Sequence, residues 1–452
     1  MKPDRFDLTV WGVVALIGVA LGAVLLIGDR IGARVVSVTP ESGGVVGAHS
    51  RIGVEFAQAM NQASVESAFA VEPPVPGKFI WEDRKLWFTP NEPFRLGVTY
   101  IARITTGAIS IGGQRVKNDV VWRFAVREPS IVYVAPASDA RELWSVALSG
   151  GEPKALTGTG GMIYDFAVSP DGETIAYTVV NEQAGIDLWL MNRGGSNQRL
   201  AVNCAADRCI TPNWAPDGSR LAYSRQNAGI APGAPNGPPR VWTLDIARGQ
   251  TAAVYQDSQV LGYGPSWSPD GRRIAAFDGS IGGIRVLDLQ TGDVMILPSQ
   301  MGVVGTWAPD GQTMLYNDLS IVGEQPYVKM YLANFQTKEV NLAFEAGEAQ
   351  IDYSVPVWSP DGQWAAAGLK NALSGVGNQL WIMRPDGSEG RAIADDPKYT
   401  YGSYRWDPWS QSLVFQRFEL GEPFAKPEIM MWSPGDGVRL IAQDASMPAW
   451  LP

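Results

Sequence analysis

The sequence predicts an all-β protein carried on one N-terminal helix: a single transmembrane segment, then a β-sandwich, then a β-propeller. Three observations carry this. An uncharged apolar run fills residues 8–27, β-type alternation with frequent turn signals follows up to Arg127, and an apolar or aromatic residue followed by x-Pro-Asp-Gly recurs through the remainder. The 50 Gly, 32 Pro and 17 Trp fit a turn-rich β protein, and nothing suggests a helical domain outside the membrane.

The apolar run comes first. Twenty residues of helix rise about 30 Å, one hydrocarbon thickness, so residues 8–28 are assigned a transmembrane helix behind a short cytoplasmic N-terminus, 1–7. A cleaved signal peptide has a shorter apolar region followed by a small-x-small site. Gly28-Asp29-Arg30-Ile31-Gly32-Ala33 is a poor site and no lipobox cysteine follows, so an uncleaved anchor is expected. Lys2 and Arg5 before the span nearly balance Arg30 and Arg34 after it, which leaves the orientation open by charge alone. The exported character of the rest sets the expectation of a single-pass protein of the cell membrane, its C-terminal domains extracytoplasmic. Gly18-Val19-Ala20-Leu21-Gly22 fits a helix-pairing pattern, but small residues are common in such spans and read as lipid-facing filler.

Residues 34–127 alternate with strand period. Val35-Val36-Ser37-Val38-Thr39-Pro40, Ile52-Gly53-Val54-Glu55-Phe56, Leu86-Trp87-Phe88-Thr89-Pro90, Thr99-Tyr100-Ile101-Ala102-Arg103-Ile104 and Val120-Val121-Trp122-Arg123-Phe124 are short strands with turn signals between them, as in a β-sandwich.

The propeller is predicted over residues 130–452. The motif reads Val168-Ser169-Pro170-Asp171-Gly172, Trp214-Ala215-Pro216-Asp217-Gly218, Trp267-Ser268-Pro269-Asp270-Gly271, Trp307-Ala308-Pro309-Asp310-Gly311 and Trp358-Ser359-Pro360-Asp361-Gly362, then a worn Trp406-Asp407-Pro408-Trp409-Ser410 and a stub Trp450-Leu451-Pro452. The anchors lie about 40–53 residues apart, one four-stranded blade each. Pro presets φ for a turn, Asp bonds its own backbone and Gly accepts positive φ, so each copy closes a hairpin. A third strand recurs behind each, as in Asp187-Leu188-Trp189-Leu190-Met191 and Gln379-Leu380-Trp381-Ile382-Met383. The first such strand, at Glu142-Leu143-Trp144, has no Trp-x-Pro strand ahead of it, and the C-terminal Met447-Pro448-Ala449-Trp450-Leu451-Pro452 can supply one. Counting that shared blade gives seven; six is the alternative. Closure leaves only short protected edges.

These residues carry two resemblances. The Trp-Ser-Pro-Asp-Gly wording with a Leu-Trp strand behind it resembles the TolB-like, WD-type propeller repeats over roughly 130–452. Propellers of that family serve as binding platforms, as periplasmic parts of envelope complexes and as lids on peptidases, so the resemblance implies a fold and not one activity. Upstream, Val38-Thr39-Pro40-x-x-Gly43, Phe56-Ala57-Gln58-Ala59-Met60 with Ser64-Val65, Phe88-Thr89-Pro90, Leu96-x-x-x-Tyr100 and Trp122-Arg123-Phe124 resemble the bacterial Ig-like domains of the SbsA type. That implies a spacer or adhesion module at the cell surface or in the envelope.

The residues exclude much chemistry. With 36 Lys plus Arg against 46 Asp plus Glu, the net charge of −10 disfavours nucleic acid as a partner, because phosphate binding needs a basic face. The chain has one histidine, His49, in a turn of the sandwich, and no Gly-x-Ser-x-Gly; hydrolases that use an imidazole base have nothing to work with. Paired carboxylates could serve a glycosidase, but Asp171, Asp217, Asp270, Asp310 and Asp361 are accounted for as turn formers. Cys204 and Cys209, the only cysteines, are expected to form a disulfide across an inter-blade loop of an exported chain. A metal would need two further ligands, and a redox pair would need thioredoxin-like spacing. No metal, cofactor or catalytic residue is therefore assigned.

The candidate ligand site is the channel. The residue before each anchor varies, and Asn213, Ser266, Thr306 and Arg405 would make a mildly polar lining if that position faces inward. A Pro/Gly-rich insertion, 227–239, either carries recognition or is a tolerated excursion. The expected function is a non-catalytic platform in the bacterial envelope for a protein partner or an envelope glycan or peptide. The alternatives are a structural subunit of a membrane complex and a carboxylate-dependent propeller glycosidase or lyase; the oligomeric state is left open.

Overall fold

The computed structural model describes residues 11–19, 32–231, 233–322, 324–344, 351–371, 375–422 and 424–452. The chain falls into two compact units, Met1–Arg127 and Glu128–Pro452. Of the expected span 8–28, residues 11–19 are helical and the rest lies outside the described residues; no helix among the described residues is long and apolar enough to cross a membrane.

The first unit is a sandwich of two four-stranded sheets. One runs Val35–Thr39, Ile52–Phe56, Lys85–Pro90, Gly77–Glu82; the other Gly44–Val46, Val120–Val126, Thr99–Ile104, Phe69–Glu72. Alternation places one face of each strand in the core, so Ile52, Val54 and Phe56 of one sheet and Tyr100, Ala102 and Ile104 of the other are all nearly inaccessible. Aromatic residues fill the middle: Phe94, Tyr100 and Phe124 lie with ring centroids 4.9–5.5 Å apart. A short helix, Gln62–Ala68, corrects the expectation of an unbroken β unit. Asn61 caps it, its side chain accepting from the Ser64 amide at 3.0 Å, while Val65 and Ala68 are buried. Two turns are too few to print a helical period, and only the cap and the burial hold it. His49, in the turn that precedes Ile52–Phe56, is half-buried, and burial lowers its pKa.

Among the described residues, the strands of the second unit group into seven four-stranded blades. Blade 1 is Lys154–Ala155, Glu142–Ala147, Ser130–Ala135 and, innermost, Ser446–Leu451, whose Trp450 and Leu451 pair with Ile131 and Ser130. Blades 2 and 3 span 163–202 and 208–253 and are joined by one parallel bridge, Ile186 to Arg208. Blades 4, 5, 6 and 7 span 263–298, 306–342, 351–394 and 399–443. Blade 6 has a broken inner strand, Ile351–Tyr353 and Val357–Trp358, both paired with Ala365–Asn371. Ser446–Leu451 lies beside Tyr399–Trp406 of blade 7 and Ile163–Val168 of blade 2.

The repeated turn has one construction. The Asp171, Asp270 and Asp361 carboxylates each accept the hydroxyl of the Ser two residues earlier at 2.5–2.6 Å. The same carboxylates accept the amide two residues later, at 3.0 Å in all three. The glycines hold φ of 68–74°, a region that costs an L side chain about 1–2 kcal/mol. In the worn copy the roles shift. Asp407 stands at the Ser position and accepts the Gln411 amide at 2.8 Å, and Ser410 takes the glycine's place at φ 60°.

That exchange has a pH signature. Burial pushes the Asp407 carboxyl up to about 6, against the pull of the Gln411, Ser412 and Trp409 amides. A folded-state pKa above the unfolded one means the native state holds more protons between the two values, so this contribution is present at low pH and lost as pH rises toward and through about 6. Asp407→Asn is expected to be more stable than the parent at pH 7 by about 1–3 kcal/mol, with the difference vanishing near pH 4. Urea midpoints of both proteins across that range check it; a pH-independent difference would contradict it.

Cys204 and Cys209 are disulfide-bonded, with Cα atoms 6.3 Å apart, in the connection from blade 2 to blade 3. Both are buried. The loop between them is tied on both sides: the Cys204 amide donates to Asp187 at 2.7 Å, and Asp207 pairs with Arg225 at 2.8 Å. Closing so short a loop restricts the unfolded chain by about 2 kcal/mol in the chain-entropy account. Cys204→Ser/Cys209→Ser should lower stability by about that much, and a reducing agent should change the parent's urea midpoint but not the variant's.

Candidate functional site

Six inner strands end on the anchor and Ser446–Leu451 one residue past it, and the indoles stitch neighbours together. Trp214 Nε1 donates to the Ala167 carbonyl at 3.1 Å, Trp406 Nε1 to Val357 at 3.3 Å and Trp450 Nε1 to Arg405 at 3.0 Å. In each pair the acceptor is the residue just before the anchor position of the preceding blade. A Phe at the anchor would fill the same wedge but lose this bond. Trp358 instead bonds its own turn at Gly362, and the indole nitrogens of Trp267 and Trp307 are buried without a partner among the described residues.

A bulge precedes the anchor in several blades. Pairing slips between Ile210 and Asn213, Tyr263 and Ser266, Gly402 and Arg405, and Ser446 and Ala449. Thr211, Gly264, Ser403 and Met447, three residues before their anchors, sit at φ 53–60°. Such bulges bend the strand and re-aim the side chains that follow.

The four channel candidates separate. Asn213 and Arg405 line one cavity of about 440 Å³, together with Phe166, Pro212, Ser403, Trp406, Met447 and others from blades 1, 2, 3 and 7. Ser266 and Thr306, half-buried on blades 4 and 5, are not among its lining residues. Two candidates also have structural duties. The Asn213 side-chain oxygen accepts the Trp267 amide at 3.0 Å, and the Thr306 hydroxyl accepts the Trp358 amide at 3.3 Å. The position before the anchor is thus partly a blade-to-blade latch.

Among the described residues, Arg405 is the one charged residue on the cavity wall. Its guanidinium donates from Nη1 to the Tyr404 carbonyl at 2.8 Å. It keeps exposed surface, yet protein crowds around it and pulls its pKa below the ordinary arginine value. The exposed surface meets cavity water, so hydration is weakened and not abolished, and the group stays cationic.

Next to the wall lies a residue that sequence reasoning missed. Asp165 is buried, its carboxyl accepting the Thr178 hydroxyl in blade 2 and the Thr211 amide of blade 3 at 2.7 Å. Burial pushes it up to about 6, opposed by those hydrogen bonds and by Arg141 and Arg208. Arg141 in turn donates to the Tyr164 carbonyl at 2.9 Å and to Met447 sulfur at 3.4 Å. The available signal was positional: Asp165 stands three residues before its anchor, where the other blades place Thr211, Gly264, Val304, Val355, Ser403 and Met447. A second hollow, of about 170 Å³ at blades 4 and 5, is lined by Arg272, Arg273 and Asp288. These pair among themselves, Arg272 with Asp288 at 2.6 Å. No group of three His, Cys, Asp or Glu among the described residues could hold a metal ion.

The described residues of the insertion, 227–231 and 233–239, are irregular. Its base is closed by the Gly237 amide on the Asn227 carbonyl at 2.9 Å and by the Ala228 amide on Asp207 at 3.0 Å, while Ile230 stands fully exposed.

Fold and repeat together define the class: an Ig-like sandwich followed by a propeller built from Trp-x-Pro-Asp-Gly hairpins. The bacterial Ig-like domain model matches residues 29–126 and the TolB beta propeller domain model matches residues 114–325. The chain carries a bacterial Ig-like domain followed by a TolB-type β-propeller, with the repeat continuing past residue 325 to the C-terminal strand. No curated protein sequence matches it. Among solved structures it resembles TolB from Acinetobacter baumannii, at 14% identity and a TM-score of 0.43 over 85% of this chain and 83% of that one. It resembles a Mycobacterium tuberculosis puromycin-hydrolyzing peptidase at 11% identity and 0.51, over 89% of this chain and 57% of the other. A prolyl endopeptidase gives 11% and 0.51 over 71% and 50%. The chain thus spans little more than half the length of these peptidases, and at such identities the likeness is one of fold.

Proposed function

We propose that the protein is a non-catalytic binding platform: a propeller, closed by its C-terminal strand, held outside the cytoplasm by an Ig-like spacer and a membrane anchor at 8–28. One observation carries the binding assignment. The cavity at the inner strands presents a guanidinium, an amide and a hydroxyl beside the apolar side chains of Phe166, Pro212 and Met447, and no carboxylate among the described residues. Glycoside cleavage by paired acids needs two carboxyl groups about 5–9.5 Å apart, so this wall suits capture and not that reaction. The anchor reading rests on the uncharged run in the sequence, and the extracytoplasmic placement on the disulfide.

A structural role in a membrane complex is the second reading, favoured by blade 5. Its central hairpin, Thr313–Val322 with Gln325–Asn334, is built from the longest strands of the unit and exposes Leu319 and Ile321. The test is capture of the full-length protein from detergent-solubilised native membranes with mass spectrometry of what accompanies it. A reproducible partner lost on truncating the 319–326 tip supports the complex. A partner retained on that truncation supports the platform. Turnover of an acidic oligosaccharide by the purified protein would sink both.

A further inference from the structure

The cavity among blades 1, 2, 3 and 7 is rich in unanswered donors. Arg405 spends Nη1 on the Tyr404 carbonyl, and the burial that lowers its pKa is opposed by no charged neighbour. Its Nε and Nη2 hydrogens have no partner among the described residues. They form the paired edge of the guanidinium that meets both oxygens of a carboxylate at once.

Asn213 adds a donor of fixed sense. A backbone N–H can only donate, so the Trp267 amide fixes the Asn213 oxygen toward it, and the NH₂ is left over on the cavity wall with no partner among the described residues. The Ser403 hydroxyl, on the same wall, is exposed and equally unengaged. Phe166, Pro212 and Met447 add apolar side chains to an otherwise polar wall. An exposed guanidinium whose Nε and Nη2 edge faces no counter-charge among the described residues is open to an anion.

We propose that this cavity binds the chain-terminal carboxylate of a peptide, its two oxygens on the Nε/Nη2 edge of Arg405 and the amide of Asn213, with an apolar terminal side chain against Phe166, Pro212 and Met447. This rests on the binding-platform reading and names the ligand class for it. The choice among anions follows from the donors. A phosphate dianion calls for a second cation or a nest of backbone amides, and the wall supplies one guanidinium. An acidic sugar brings a hydroxyl on most ring carbons, and the wall offers only Asn213 and Ser403 to meet them.

The test uses the full-length protein in detergent, with binding read by isothermal titration calorimetry. The probes are a pool of N-acetylated apolar tetrapeptides with a free carboxylate, the same pool amidated at the C-terminus, inorganic phosphate and an oligogalacturonate. The free-acid pool is expected to bind at least about tenfold more tightly than the amidated one, a preference of the size one charge-assisted bidentate contact supplies. Arg405→Gln should abolish that preference while the protein still melts cooperatively, because the Arg405 contact to Trp450 is through its backbone and only the side-chain bond to the Tyr404 carbonyl is lost. Arg405→Lys, which keeps charge but not the paired edge, should fall between. Equal binding of both pools, no binding of the free acid, or tighter binding of phosphate or oligogalacturonate overturns the proposal. If membrane capture still recovers a partner with Arg405→Gln as it does with the parent, the platform stands and this site is not its ligand-reading element.

Discussion

Removal of residues 446–452 is expected to prevent the propeller unit from folding. The segment is the inner strand of blade 1, paired with Ser130–Ala135 some three hundred residues earlier in the chain. It buries Trp450 and Leu451, and its Pro452 carbonyl accepts Arg193 of blade 2 at 2.6 Å. Losing a buried Trp costs about 3–5 kcal/mol and a buried Leu about 2–5, which together match the whole stability of a typical domain, about 5–15 kcal/mol. Deletion also bares the edge of Ser130–Ala135, where Ile131, Val132 and Val134 are wholly buried in the intact protein, and an exposed apolar edge invites aggregation. Size-exclusion chromatography and near-ultraviolet circular dichroism of the truncated chain decide the matter. A monomer with the parent's tertiary signal would show that blade 1 does without its fourth strand.

Trp214→Ala should cost about 3–5 kcal/mol and Trp214→Phe about 1–2. The alanine empties a wedge packed by Leu188, Leu190, Leu221 and Leu244, and the phenylalanine forfeits chiefly the bond from the indole to Ala167. The same pair of substitutions at Trp307, whose indole nitrogen has no partner among the described residues, should leave the Phe variant close to the parent. Chemical denaturation of all four variants separates wedge filling from stitching. Equal losses for the two Phe variants would remove the stitching bond from the account.

Particular residues show how much could be read in advance. The Pro-Asp-Gly turns were legible because φ preferences and side-chain-to-backbone bonds are local, and the same locality made Cys204 and Cys209 legible as a pair. The Ig-like strands at Ile52–Phe56 and Thr99–Ile104 stood out by alternation, whereas Gly44–Val46 and the capped helix Gln62–Ala68 were too short to print a period. Arg405 and Asn213 were found by position, and the structure sets them on one cavity wall; Ser266 and Thr306, chosen on the same grounds, lie elsewhere. Asp165 went unread because a single acidic residue in a strand looks like a solvent-facing one until its partners in two blades are known.

What the sequence alone determined is the repeat: which residues turn and which fill the wedge, with the number of blades left between six and seven. Those properties belong to segments of a few residues, where sterics and burial pattern suffice. What the tertiary structure decided is which unlike residues of like repeats come together. The bulges before Asn213 and Arg405 re-aim their side chains, Trp267 consumes one acceptor and leaves a donor, and blades 1, 2, 3 and 7 enclose a cavity whose cation has no counter-charge. Such a site depends on contacts between residues roughly two hundred positions apart, and no local pattern encodes which of them will meet.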